Sequence, residues 1–251
     1  MVLQAQEGRL ITSSPTPARL LVATAVPVER DAVARAYGES GREVRLPGVV
    51  LARTGRADLL AAGVGPALAA ASTAAALTAA ALAGTPYDLV VSAGIGGGFL
   101  PHAPVGSLVV ADEITAADLG ADTADGFLPV TELGFGTVTH HPPAGLVRQV
   151  ADALGAPAGP VLTVSTVTGS AARAAELRAR HPRALAEAME GFGVAEAAGA
   201  HGVPVLEIRA VSNPVGPRDR AAWRIGDALT ALSEGFVKLA PVLESWNPDD
   251  R

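Results

Sequence analysis

The run Asp88-Leu-Val-Val-Ser-Ala93, followed at once by Gly94-Ile-Gly-Gly-Gly98, sets the narrowest limit on the fold. A strand that is apolar on both faces must be covered on both. The run therefore reads as an inner strand of a parallel or mixed sheet that ends in a tight glycine loop. The segments around it alternate. Residues 20–26, 49–54, 58–62, 107–112, 161–167 and 203–212 have the length and content of strands. Residues 29–37, 66–83, 182–200 and 221–243 read as helices, the last with Ile225, Leu229, Leu232, Phe236 and Leu243 near one face. The expected architecture is one α/β domain, a mixed central β-sheet flanked by helices, with no fixed-period repeat.

Composition narrows the partners. With 251 residues, 49% hydrophobic and 18% charged, the chain can bury one sizeable core. A formal net charge of -6 argues against a surface that neutralises nucleic-acid phosphates. With no cysteine, disulfides, thiolate metal sites and cysteine nucleophiles are excluded. Residues 1–17 read as a disordered tail that lacks the order of a secretory signal, so a cytoplasmic protein is expected. Residues 59–83 carry no charge and are long enough to span a bilayer. Their alanine content and the break at Gly63-Val-Gly-Pro66 favour a short strand and a proline-started helix instead.

Polar residues then stand out where the pattern calls for core. Met189 and Glu190 lie in an apolar, glycine-interrupted stretch, and a buried carboxylate there needs partners to offset its desolvation, which sugar hydroxyls would supply. An exposed helix-terminal glutamate is the plainer reading of that segment alone. Asn213 is held extended by Pro214 at a strand end, where open α/β sheets bind ligands; the plainer alternative is a turn cap. Gly94, Gly96 and Gly97 around Ile95 would let a ligand approach backbone amides, or simply make a turn. Gly63-Val-Gly65 lacks the third glycine of a dinucleotide fingerprint and reads as a strand-to-helix turn. The histidines, His140-His141 and His102 among them, offer no convincing metal spacing, and no metal is expected.

Four segments together carry a resemblance: Gly94-Ile-Gly-Gly-Gly98, Ser165-Thr-Val-Thr-Gly-Ser170, Glu187-Ala-Met-Glu-Gly-Phe-Gly193, and Arg209-Ala-Val-Ser-Asn213 with Arg218-Asp-Arg220 and Trp223. The chain resembles the nucleoside phosphorylase and nucleosidase superfamily, and within it the futalosine hydrolases of menaquinone biosynthesis. That resemblance implies a nucleoside phosphorylase-like domain over residues 18–251, a purine nucleoside as substrate, no cofactor and a homo-oligomer. It implies Glu190 on the ribose 2′ and 3′ hydroxyls, Met189 beside the sugar, Asn213 facing the purine, and Thr168 and Gly169 lining the base pocket, with Phe192 as a stacking surface. Adenine-directed relatives carry an acid where Asn213 stands. An amide donates hydrogen bonds but no acidic proton, which favours a 6-oxopurine such as hypoxanthine.

Hydrolysis also needs a base for water. The resemblance puts it just after the first strand, at Glu29, with the register there open by one residue. Asp219 is a second candidate acid. Arg218 or Arg220 is a candidate partner for the benzoate on futalosine's 5′ extension, against the plainer reading of two solvated surface charges. Within enzymes the alternatives are a purine nucleoside phosphorylase or a methylthioadenosine/S-adenosylhomocysteine-type nucleosidase. Outside them stands a nucleoside-binding sensor without turnover.

Overall fold

The computed structural model describes residues 18–38 and 41–247, and the expectation for residues 1–17 lies outside them. In chain order the elements are β1 Leu20–Thr24, α1 Pro27–Ala34, β2 Arg42–Leu46, β3 Val49–Arg53, β4 Ala57–Ala61, α2 Pro66–Leu82, β5 Leu89–Gly98 and β6 Leu108–Ala116. There follow β7 Gly120–Thr123, β8 Gly126–Pro129, β9 Thr139–His140, α3 Ala144–Leu154, β10 Ala158–Thr163, α4 Ala171–Arg180, β11 Ala186–Ala188, α5 Gly191–Ala200, β12 Val205–Pro214 and α6 Ile225–Ser245. The main sheet runs β11-β10-β6-β12-β5-β1-β4-β3-β2, with β9 paired to β6 and β7-β8 a separate hairpin. It is mixed: β5 lies parallel to β1 and β12, whereas β12 lies antiparallel to β6. Because β11 also pairs with β5, strands β5, β12, β6, β10 and β11 close on themselves at one end.

That closure corrects two expectations. The glycines of residues 94–98 are not a loop but the second half of β5. A Cβ at Gly96 would stand 2.7 Å from the Glu187 carbonyl oxygen of β11, and one at Gly98 would stand 2.1 Å from the Ala103 carbonyl oxygen, so the crossing needs bare backbone. Residues 182–200, expected as one helix, divide into β11 and α5. Ala186 and Glu187 pair with β10 on one side and with Gly98 and Gly97 on the other, and this tertiary pairing overrides the helical preference of Ala, Glu and Met. The last helix begins at Ile225 after a 3₁₀ turn at Arg220–Ala222; Leu232, Phe236 and Leu243 are buried as expected, while Ile225 is 38% exposed.

The sheet separates two apolar layers. Neighbours along a strand face opposite ways, so Leu21 and Val90 pack with α2 and α5, whereas Leu20, Val22, Leu89 and Val91 pack with α3 and α6. The uncharged segment proves to be β4 and α2, and among the described residues no helix is long and apolar enough to cross a membrane. Helices α2 and α5 touch at backbone distance: a Cβ on Gly193 would lie 2.0 Å from the Pro66 carbonyl oxygen. Gly193→Ala is therefore expected to lower the unfolding free energy by about 1–3 kcal/mol, the usual cost of overpacking, as read from denaturant midpoints. An unchanged midpoint would show that the two helices separate freely.

Candidate active site

Arg209 is fully buried on β12, level with Gly94 of β5, and Glu207 is level with Ser92. Its guanidinium serves three elements at once. Nε donates to Glu207 Oε1 at 2.8 Å, Nη1 donates to Glu190 Oε2 at 3.4 Å at the start of α5, and Nη2 donates to Ser92 Oγ at 2.9 Å. Burial works against the charge, but Glu207 and Glu190 outweigh it and hold Arg209 cationic. Gly94 leaves the necessary space, since a Cβ there would stand 2.8 Å from both Arg209 Nη1 and Glu29 Oε1.

Glu29 enters this cluster from the first turn of α1 and is 3% exposed. Oε2 accepts from the Ala25 and Val26 N–H groups at 3.0 and 3.2 Å, tying the side chain back over its own helix start. Oε1 accepts from the Ile95 N–H at 2.9 Å, so the glycine-rich half of β5 contributes a backbone donor after all. Arg30 and Asp31 pair with each other instead, with 24% and 59% of their side chains exposed. Burial pushes the Glu29 carboxyl above its ordinary range, against the Ile95 bond and the Arg209 charge, which draw it down, and the Glu190 carboxylate adds to the rise. Glu190, 6% exposed, stands at the N-cap position of α5 without a side-chain capping bond; its Oε1 accepts from Gly65 N–H at 3.3 Å, and its Oε2 from Met189 N–H at 3.4 Å. The turn at Gly63-Val-Gly65 thus adds a further amide, presented by Gly65 at φ 88°.

Around the other end of β12 a second group forms. Asn213 Nδ2 donates to the Pro214 carbonyl at 3.0 Å, and its Oδ1 accepts from Ser212 Oγ at 2.9 Å, which leaves one amide hydrogen for a ligand. A Cβ on Gly97 would stand 3.3 Å from that same Nδ2. Thr168 is clamped by Glu187, whose two oxygens accept from its N–H and Oγ1, and Gly169 accepts at its carbonyl from Arg218 N–H at 3.2 Å. Burial raises the Glu187 carboxyl and the two Thr168 bonds draw it down. Arg218 and Arg220 are exposed, each 6.0 Å from the ring centre of Trp223, and neither is in a salt bridge among the described residues. Asp219 is exposed and caps the 3₁₀ turn by accepting from Ala221 N–H at 3.1 Å, and it makes no bond to the Arg209 cluster. Phe192 is 7% exposed and packs against His140, with ring centres 5.4 Å apart, so its ring belongs to the core rather than to an open stacking surface.

The family model for the phosphorylase superfamily matches residues 10–240. The chain belongs to this superfamily. It is 78% identical to the futalosine hydrolase of Streptomyces coelicolor over 92% of its length and 99% of that protein. It is 47% identical to the futalosine hydrolase of Acidothermus cellulolyticus over 87% of its length and 89% of that protein. Among solved structures, a futalosine hydrolase mutant of Helicobacter pylori superposes with a TM-score of 0.75 at 17% identity, covering 90% of this chain and 100% of that one. The 5'-methylthioadenosine/S-adenosylhomocysteine nucleosidase of Neisseria meningitidis, in complex with methylthio-immucillin-A, gives 0.74 at 20%, covering 91% and 100%. At such identities the likeness is one of fold.

Ser92, Glu187, Glu207 and Arg209 join the candidate site without a role assigned from the sequence, although the segments holding Glu187, Glu207 and Arg209 stand out as polar residues in an apolar pattern. A signal existed for the last two: Glu207 and Arg209 stand two apart in a strand otherwise apolar, on one face, and such a pair has to be buried together. Ser92 gave none, because what matters there is the strand beside it. The Glu29 shift carries a test. Its folded form binds the proton more tightly than the unfolded chain, so the stability it contributes is present at low pH and lost as pH rises through its raised value. The unfolding free energy of the wild type, measured against Glu29→Gln, is expected to fall across that window from about 4.5 upward; a difference that grows with pH would contradict the assignment.

Proposed function

We propose that the chain hydrolyses the N-glycosidic bond of futalosine, releasing hypoxanthine. The observation that carries this reading is its high identity to futalosine hydrolases over nearly the whole of their length. The geometry supports water as the nucleophile. A carboxylate offers about four acceptor positions, and backbone amides fill three of those on Glu29, which leaves one for a water molecule. A phosphorylase would need donors for phosphate there; instead the Ala25, Val26 and Ile95 amides are spent on a carboxylate whose charge repels phosphate.

In this reading Glu190 accepts from the ribose hydroxyls with Met189 beside the sugar. The water oxygen bonds to the anomeric carbon as the bond to the purine nitrogen breaks; its proton passes to Glu29, and the electron pair leaves with the base. The free amide hydrogen of Asn213 donates to the purine as negative charge builds there, and solvent then protonates the base. With one hydrogen held by Pro214, Asn213 contacts one purine acceptor at a time unless its amide turns. Asp219, already a turn cap, is the weaker candidate for that proton. The exposed guanidiniums of Arg218 and Arg220, in no salt bridge among the described residues, supply with Trp223 a charge and a ring face for the aryl carboxylate at the 5′ end. The same reading includes a cytoplasmic homo-oligomer and a place in menaquinone biosynthesis.

Hypoxanthine release is measured from futalosine and from inosine, each with and without phosphate. Release that needs no phosphate and prefers futalosine is expected; strict phosphate dependence would make the chain a phosphorylase. Glu29→Gln is expected to lower kcat about 10²–10⁴-fold, the range for losing a general base. Arg218→Ala or Arg220→Ala is expected to raise KM for futalosine roughly tenfold, as for a lost charged hydrogen bond, and to leave inosine unchanged. Equal effects on both substrates would remove the arginines from the 5′ site.

A further inference from the structure

Glu207 is fully buried, and the reaction sketched above gives it no work. One of its oxygens accepts from Arg209 Nε at 2.8 Å; the other, Oε2, has no hydrogen-bond partner among the described residues. Burying such a group is costly, and replacing buried ion pairs by apolar side chains often leaves stability unchanged or improves it. Stability alone is therefore a poor reason to find a carboxylate here.

Its placement suggests another. Of the three contacts of Arg209, those to Glu207 and Ser92 are 2.8 and 2.9 Å, and the one to Glu190 is 3.4 Å. The long contact is the one facing the candidate sugar site, and the two short ones set where it falls. Nε is the nitrogen nearest the arginine stem, so a bond to it fixes rotation of the guanidinium plane, and with it the direction of Nη1. Glu207 also abuts the turn that carries Glu190: a Cβ on Gly191, the next residue, would stand 2.2 Å from Glu207 Oε2. No substrate atom can reach Glu207 itself.

We propose that Glu207 is a positioning residue for ribose recognition, which aims Arg209 so that Glu190 is held toward the 2′ and 3′ hydroxyls. This rests on the reading of Glu190 as the ribose residue. For aiming Arg209, what matters is the acceptor that Glu207 offers at the right reach, apart from the charge it also lends the cluster, and two conservative variants separate these. Glu207→Gln keeps the reach and loses the charge; Glu207→Asp keeps the charge and is one methylene too short for Nε.

The readout is the ratio of kcat/KM for futalosine to that for its 2′-deoxy analogue, with Glu190→Ala as reference and unfolding midpoints as the check on folding. Glu190→Ala is expected to lower the ratio about tenfold or more, as for a lost charged hydrogen bond. Glu207→Asp should lower it by a similar factor, and Glu207→Gln should stay within about threefold of wild type. A purely structural role would lower both substrates together and leave the ratio alone, which would overturn the proposal; so would a Gln variant that loses the ratio as fully as Asp. If Glu190→Ala leaves the ratio unchanged, the ribose reading itself fails. Should Glu207→Asp not fold, Glu207→Ala provides the variant without reach, and a wild-type ratio there counts against the proposal.

Discussion

A single buried guanidinium holds the centre of this molecule together. Arg209 is cut off from water, so each of its nitrogens needs a protein acceptor, and it finds them on β12, on β5 and at the start of α5. The start of α5 and the far more distant β5 are thereby drawn to one point on β12. The dependence runs both ways. Glu29, Glu190 and Glu207 gather around the same cation, and without it three carboxylates would share a low-dielectric interior. Burial raises the Glu29 and Glu207 carboxyls; the Ile95 N–H and the Arg209 charge restrain that rise at Glu29, and the Arg209 charge at Glu207, without cancelling it.

The sheet makes this gathering possible. Residues on neighbouring parallel strands fall level with one another, so Ser92 meets Glu207 and Gly94 meets Arg209 without any loop having to fold over. Glycine does two different jobs along β5. At Gly94 the missing side chain leaves room for charged groups, whereas at Gly96 and Gly98 it lets β11 and residue 103 approach the backbone. The amide of Ile95, between them, is left free to bind Glu29. The strand closure and the carboxylate cluster are thus consequences of one glycine-rich stretch.

Much of the fold was legible before any coordinates. Apolar runs of strand length located β1, β3, β4, β5, β6, β10 and β12 to within a few residues, and Pro66 marked the start of α2. Helix α3 was passed over although Leu146, Val147 and Val150 mark one buried face at helical spacing. Short or polar elements were not legible: β2, the β7-β8 hairpin, β9 and α4 lack a long apolar period or owe their form to a neighbour. The division of residues 182–200 went unseen for the same reason, since Ala186–Ala188 extend only because β10 and β5 flank them. Among candidate site residues, Glu190 and Asn213 stood out from the residue pattern and took their roles from the family resemblance, which alone pointed to Glu29. Arg209 and Glu207 lie in a segment marked out by polar residues in an apolar strand pattern, yet neither took a role from the sequence.

The sequence by itself determined the alternation of strands and helices, the existence of one large core and the presence of carboxylates in apolar surroundings, because these follow from local periodicity and from the cost of burying charge. Tertiary structure decided which strands became neighbours, that the glycine run would be strand rather than loop, and which carboxylates would meet the arginine. Those outcomes depend on pairing between segments such as residues 92–94 and 207–209, more than a hundred positions apart. No periodicity within either segment encodes a distance across the sheet, so the contacts that tune the site exist only once the sheet has formed.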